Sequence, residues 1–395
     1  MHTIKKRGLA LTQINKLGII SLISSLSSAL VATIWAIYLE SILKNPSYVG
    51  ILLTFFTIVA GLSYIFLIPI IEKNSKAKIY LFAVGIFIIS YLSFALFSTI
   101  WAITITGIIL AVATSMKITA FGIILRDKSK NTAVSKNISL IYTFFNISWL
   151  IGPIVAGFVA NRYGIKNVFF LAAAFMLLTM ILFKDFKIKD ERKKKRIDKN
   201  VLKVLIDFLK NKDRLLIYII SGSVTFWWTL IYIYIPIYIV DSGLNEIIVG
   251  YFLALVVVPL ILCEYSFGKL TGKIGFKKIF FIGNIALSFF ALSCFFIGSI
   301  YLILALLILA SVFVAMLEPT TEAYFFDLVT KEQKDKYYGP YNTTLDVNNG
   351  ISLFLCAAVL FFLPFKFIFI FIGICMLFFA LLSLKIKNIV ESRRK

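Results

Sequence analysis

The chain is short of the residues that do chemistry in most soluble enzymes. Its only histidine is His2, which excludes a histidine proton relay and a histidine-held metal. Its four cysteines, Cys263, Cys294, Cys356 and Cys375, lie apart in apolar runs, with no metal or redox spacing and no disulfide framework. No phosphate-binding glycine loop and no nucleophile–base pair is present, so neither an enzyme, a cofactor nor a metal site is expected. Charged residues make up 15% of the 395, against roughly 25% in soluble domains. Acids are scarcer still: 19 Asp and Glu face 41 Lys and Arg, a net charge of +22. Disorder is excluded by an aromatic content of 16%.

What the chain has is apolar length. Hydrophobic residues are 60% of it, with mean hydropathy +0.95. Runs of about 20 apolar residues cross a bilayer as helices, since the backbone finds no partner there except itself. Twelve such spans are expected, near 17–41, 48–71, 78–98, 100–125, 137–161, 164–184, 214–240, 246–269, 277–298, 300–326, 338–362 and 364–385. The runs are continuously apolar and do not alternate, so a closed barrel is not expected.

The basic residues give the direction. If the N-terminus is cytoplasmic, 36 of the 41 fall on the cytoplasmic side and four outside. The one left over is Lys117, inside span 4. A multi-pass plasma-membrane protein with both termini cytoplasmic is expected. The central run Arg192-Lys-Lys-Lys-Arg196 then reads as an anchor to anionic lipid, not as a nucleic-acid patch. After it, Val201, Leu202, Leu205 and Leu209 share one helical face, the pattern of a short helix on the membrane surface.

A shift of 200 residues superimposes the two halves. Tyr38 meets Tyr238, Asn45 meets Asn245, Val49-Gly50 meets Val249-Gly250, and Lys78-Ile79 meets Lys278-Ile279. A shift of 203 pairs Asn146 with Asn349. The expected architecture is therefore all-α, with twelve transmembrane helices in two pseudo-symmetric six-helix bundles. Residues 1–184 form the first bundle, 185–213 a basic cytoplasmic linker with an amphipathic helix, and 214–395 the second bundle. Parallel repeats of this kind hold their substrate between the halves near the midplane.

Two stretches resemble the major facilitator superfamily. The loop Gly268-Lys-Leu270-Thr-Gly272-Lys273-Ile-Gly275-Phe-Lys277-Lys278 is similar to the family pattern Gly-x-Leu-x-Asp-Arg/Lys-x-Gly-x-Arg/Lys, with Gly272 at the acidic position. Its first-half copy keeps Glu72 and Lys73 but not the glycines. In span 5, Ser139, Ser148, Gly152-Pro153 and Ala156-Gly157 resemble the antiporter-associated pattern of small residues. The resemblance implies the major facilitator fold, gating by the loop residues Glu72, Lys73, Gly268, Lys273 and Gly275, and a span-5 packing motif of Gly152, Pro153 and Gly157. The arginine that the family often carries early in span 4 is absent; Thr104 and Thr106 lie there.

Ionisable residues inside a membrane are costly and usually functional. Lys117 lies nine residues from Arg126, Glu318 nine from Asp327 and Asp346 ten from Lys336, which puts all three at a depth of about 13–15 Å. One cluster is expected, with Lys117 opposite Glu318 or Asp346. Glu322 is one turn from Glu318. Glu264, one or two turns inside span 8, either joins the buried carboxylates or pairs with Lys269 or Lys273 near the interface. Asn146 and Asn349 are candidates for lining the cavity, and Trp149, Trp227 and Trp228 for stacking on a substrate. Pro236 and Pro319 are expected kinks. The expected activity is secondary active transport by alternating access, as proton-coupled efflux of small hydrophobic or cationic compounds. One alternative is uptake of an anion or small metabolite, with Lys117 as its counter-charge. The other is a non-transporting scaffold or lipid translocase. Expected partners are a small-molecule substrate, protons and the bilayer, with no nucleic acid, and the protein is expected to be a monomer.

Overall fold

The structure, a computed structural model, describes residues 12–128, 134–188 and 201–389. The basic run Arg192–Arg196 lies outside the described residues, as do the side chains of Glu72, Lys73 and Ser139. All regular structure among the described residues is helical. The first half holds α1 (Gln13–Leu43), α2 (Pro46–Lys73), α3 (Lys76–Leu96), α4 (Ile100–Lys128), α5 (Val134–Tyr163) and α6 (Ile165–Asp185). The short α7 (Val201–Lys210) follows. Then α8 (Lys212–Ile220), α9 (Gly222–Thr229), a π-helical turn (Leu230–Tyr234) and α10 (Ile235–Asp241) run on as one rod. The chain ends with α11 (Glu246–Ile274), α12 (Phe276–Phe296), α13 (Ile300–Leu328), α14 (Lys331–Phe362) and α15 (Phe367–Ser383).

Among the described residues, eleven helices are long and apolar enough to cross a membrane. α15, where a twelfth span is expected, is apolar but has only 17 residues. The turns are short because polar side chains stop and start the helices at once. Asn45 caps α2 by accepting from Ser47 N–H, and Asn245 caps α11 by accepting from Ile248 N–H. These are the repeat-related asparagines, doing the same work in each half.

The buried apolar side chains fall into two clusters. One is drawn almost wholly from α1–α6 and the other from α7–α15. The halves meet chiefly where α2 packs on α14 and α5 on α11. The repeat-related glycines make both contacts. A Cβ on Gly50 would strike Ala357 Cβ at 2.8 Å, and one on Gly250 would meet the Pro153 carbonyl oxygen and Gly157 Cα. Farther along α2 the fit is looser: a Cβ on Gly350 would lie 3.7 Å from Thr57, and one on Gly61 would lie 3.9 Å from the Asp346 side chain. The two halves thus touch most tightly near Asn45 and Asn245.

α7 does more than lie on a surface. Phe208 is fully buried against Phe325 and Tyr337 of the second half. Asp207 accepts from Lys336 Nζ at 2.6 Å and from Tyr337 Oη at 2.7 Å. Those two hydrogen bonds hold the Asp207 carboxyl below its ordinary value of 3.8. A lowered folded-state value stabilises the docked form above the ordinary value, and that stabilisation is lost as pH falls through the lowered one. Protection of the Val201–Lys210 amides, taken relative to their intrinsic exchange rates, is therefore expected to be high at neutral pH and to fall below about pH 4. Asp207→Asn should show lower protection at neutral pH and approach the native protein at low pH.

Candidate functional site

α13 places an acid between the halves through a proline. Pro319 has no N–H, so the Ala315 carbonyl loses its helical donor. The hydroxyls of Thr320 and Thr321 bond back to the carbonyls of Met316, Leu317 and Glu318 and keep the helix intact. Glu318, next to this proline, is half-buried, and its Oε2 is buried with no hydrogen-bond partner. Trp228 comes within hydrogen-bonding reach of the carboxylate, and Glu264 of α11 adds a second negative charge beside it. Of the two readings of Glu264, the structure favours the one beside Glu318, since it forms no ion pair with Lys269 or Lys273 among the described residues.

Tyr232 completes the wall. It lies in the π turn just before Pro236, where the missing proline N–H widens the hydrogen bonding and Ile235 N–H donates to Leu230 C=O. Its ring is 5.3 Å from Trp228 and, edge-on, 5.2 Å from Trp149 of α5 in the other half. Trp149 Nε1 is buried with no acceptor. One carboxylate, two indoles and a phenol ring thus converge across the junction of the halves. Aromatic faces beside a lone acid suit an organic cation.

Two more expected residues stand at the same junction. Asn349 donates to Thr57 Oγ1 of α2 at 3.3 Å and accepts from Thr229 at 3.4 Å, tying the halves together. Asp346 is half-buried beside Gly61, with Tyr64 and Tyr218 close enough to feel its charge. Asn146 is half-buried on α5.

Lys117 is elsewhere. Its ammonium donates to Ser28 Oγ at 3.3 Å and Ser24 Oγ at 3.5 Å, and sits 4.3 Å above the Phe87 ring. Tyr80 and Tyr91 lie close to the same two serines. These groups come from α1 and α3, so the side chain points into the first half. The expected pairing with Glu318 or Asp346 is not formed. Among the described residues the ion pairs are Asp207–Lys336 at 2.6 Å and Asp213–Lys387 at 2.5 Å. Spacing along the chain does not give rotation: one helix turn carries side chains to every side of α4.

Two other expectations are corrected. Trp227 is fully buried in the second-half core, and its neighbour Trp228 faces the site. Trp227→Ala should lower stability by about 3 kcal/mol or more, read as a fall in melting temperature. Trp228→Ala should leave melting nearly unchanged and weaken substrate binding. Glu322 is exposed and accepts from Tyr338 Oη at 2.7 Å, away from Glu318. In the expected gating loop, Gly268 and Lys273 are exposed, and Gly275, at φ +88°, makes the turn into α12 that glycine permits. The span-5 glycines pack helices. Gly152 lies against Ala29 of α1, and Gly157 against Glu246 and Gly250 of α11.

The sequence offered Trp228 and Glu264 as candidates without joining them to Glu318, and it missed Tyr232. The Tyr232 signal was Pro236, four residues on. Glu264 carried the signal of its own depth, one or two turns inside span 8.

Comparison with known proteins agrees with this architecture. An uncharacterized MFS-type transporter of Methanocaldococcus jannaschii is 24% identical over 267 residues, 66% of this chain and 68% of that protein. A POT family transporter solved in complex with 5-aminolevulinic acid superposes with a TM-score of 0.80 at 13% identity, covering 94% of this chain and 95% of that one. The nucleoside transporter NupG superposes with a TM-score of 0.77 at 13% identity, covering 95% and 100%. The sequence matches the Major Facilitator Superfamily over residues 17–263 and 249–395, and this multi-pass membrane protein belongs to that family of transporters.

Proposed function

We propose that the protein is a secondary active transporter that exports small lipophilic cations in exchange for protons. The observation that carries the reading is the Glu318 carboxylate, its Oε2 unpartnered, walled by Trp228, Tyr232 and Trp149 where the halves meet. A cation and a proton can both neutralise that group, and their competition for it couples the two fluxes. Alternating access would swing the halves 1–184 and 214–395 about this junction, with α15 as the twelfth span and 185–213 as the joining linker. The tight backbone fit near Asn45 and Asn245 supports a state closed at that end. We place the protein in the plasma membrane as a monomer, both termini cytoplasmic.

Uptake of an anion against Lys117 is disfavoured by that residue's engagement with Ser24, Ser28 and Phe87. The test is reconstitution in liposomes with a trapped pH-sensitive dye. Adding tetraphenylphosphonium should drive proton movement across protein-containing membranes only. Proton movement that answers organic anions and ignores cations would overturn the reading.

A further inference from the structure

A cavity of about 370 Å³ opens at the lysine-rich end, away from Glu318, between the start of α12 and the chain that follows α15. Its shape has a local cause. Gly275 turns the chain sharply into α12. The residues after α15 are held against that turn, because Phe276 N–H donates to Ile389 C=O and Tyr324 Oη donates to Lys387 C=O, each at 3.3 Å. The Asp213–Lys387 ion pair fixes the same segment from the other side.

The lining is split in character. Lys277, Lys278 and Asn388 form one side, and Phe281, Ile282 and Leu384 the other. The first turn of α12 contains no acid, and neither lysine belongs to an ion pair among the described residues. Two neighbouring ammonium groups without an ion-pair partner among the described residues attract an anion. The apolar side is open to the surroundings, Ile282 being 45% and Leu384 43% exposed, and α12 is a candidate membrane span. A soluble anion would leave that apolar wall unused. A phospholipid uses both sides, its phosphate on the lysines and its acyl chain along Ile282 and Leu384.

We infer that this cavity binds the headgroup of an anionic phospholipid. Lys277 and Lys278 hold the phosphate electrostatically, Asn388 supplies an amide, and the bound lipid joins the start of α12 to the segment after α15.

The full-length protein, purified in detergent, is titrated with phosphatidylglycerol or phosphatidylcholine of matched acyl chains, and retained lipid is counted by native mass spectrometry. Phosphatidylglycerol should be retained preferentially. Lys277→Gln with Lys278→Gln should weaken that retention by roughly 30-fold, about fivefold per lysine. Lys277→Arg with Lys278→Arg should preserve it, as should Lys44→Gln with Lys166→Gln at the other end of the molecule. Equal retention of both lipids overturns the inference, as does full retention by the double-Gln variant. Inorganic phosphate displacing the lipid at millimolar concentration also overturns it, since the site would then take a free anion.

Discussion

Glu318→Gln is expected to abolish cation-driven proton movement in liposomes while the protein still folds. The argument is local. Gln has the same shape as Glu, and Oε2 has no protein partner, so no protein hydrogen bond to that atom is lost. What goes is the charge. A charge-assisted contact contributes about 1.5–3 kcal/mol, so cation affinity should fall roughly 10- to 150-fold. Exchange should fall further, because Gln cannot take up and release the proton. Glu264→Gln, one carboxylate away, should weaken binding less and leave some exchange. Lys117→Ala gives the contrast. It removes an ammonium from among Ser24, Ser28 and Phe87, so it should lower melting temperature and leave cation affinity nearly intact. Liposome flux, binding and melting of the three variants separate these roles.

The second large effect is expected at Gly157. Here α5 and α11 approach so closely that a Cβ would lie 2.5 Å from the Glu246 carbonyl oxygen and 3.0 Å from Gly250 Cα. Both obstacles are backbone, so neither can rotate away. Overpacking of this kind costs about 1–3 kcal/mol. The cost falls only on the conformation in which the halves touch at this end. Gly157→Leu should therefore shift the population toward the opposite state by roughly 5- to 150-fold. Ile237 is 1% exposed near this junction. With the four native cysteines replaced by alanine, a cysteine introduced there should react slowly with a water-soluble maleimide. Adding Gly157→Leu should speed the reaction by tenfold or more. Gly50→Leu, at the repeat-related contact of α2 with α14, should act in the same direction.

The fold was legible because a bilayer leaves the backbone few options. Apolar run lengths located the helices to within a few residues, and lysine spacing marked their ends. The Asn45 and Asn245 match pointed to a repeat, and the two caps and the Gly50 and Gly250 contacts show its local physical content. Glu318 was legible as a candidate too, from its distance to Asp327 along one helix. Facing was not. In a soluble helix an apolar stripe marks the inside, but here almost every side of each helix is apolar. Nothing in the pattern therefore says that Lys117 turns toward α3 or that Trp228 rather than Trp227 faces the junction. Adjacent residues differ by about 100° around a helix, enough to put one tryptophan in a core and the next in a site. The π turn made Tyr232 harder still to place, since it changes the hydrogen-bond spacing just before Pro236.

The central claim is that an organic cation binds at Glu318 between the halves. Equilibrium binding of radiolabelled tetraphenylphosphonium to the purified protein tests it directly, at pH 8 and at pH 5, with Glu318→Gln alongside. The account predicts saturable binding that weakens at the lower pH, because proton and cation compete for one carboxylate, and weak, pH-independent binding by the variant. Equal binding by the native protein and Glu318→Gln at both pH values would contradict it.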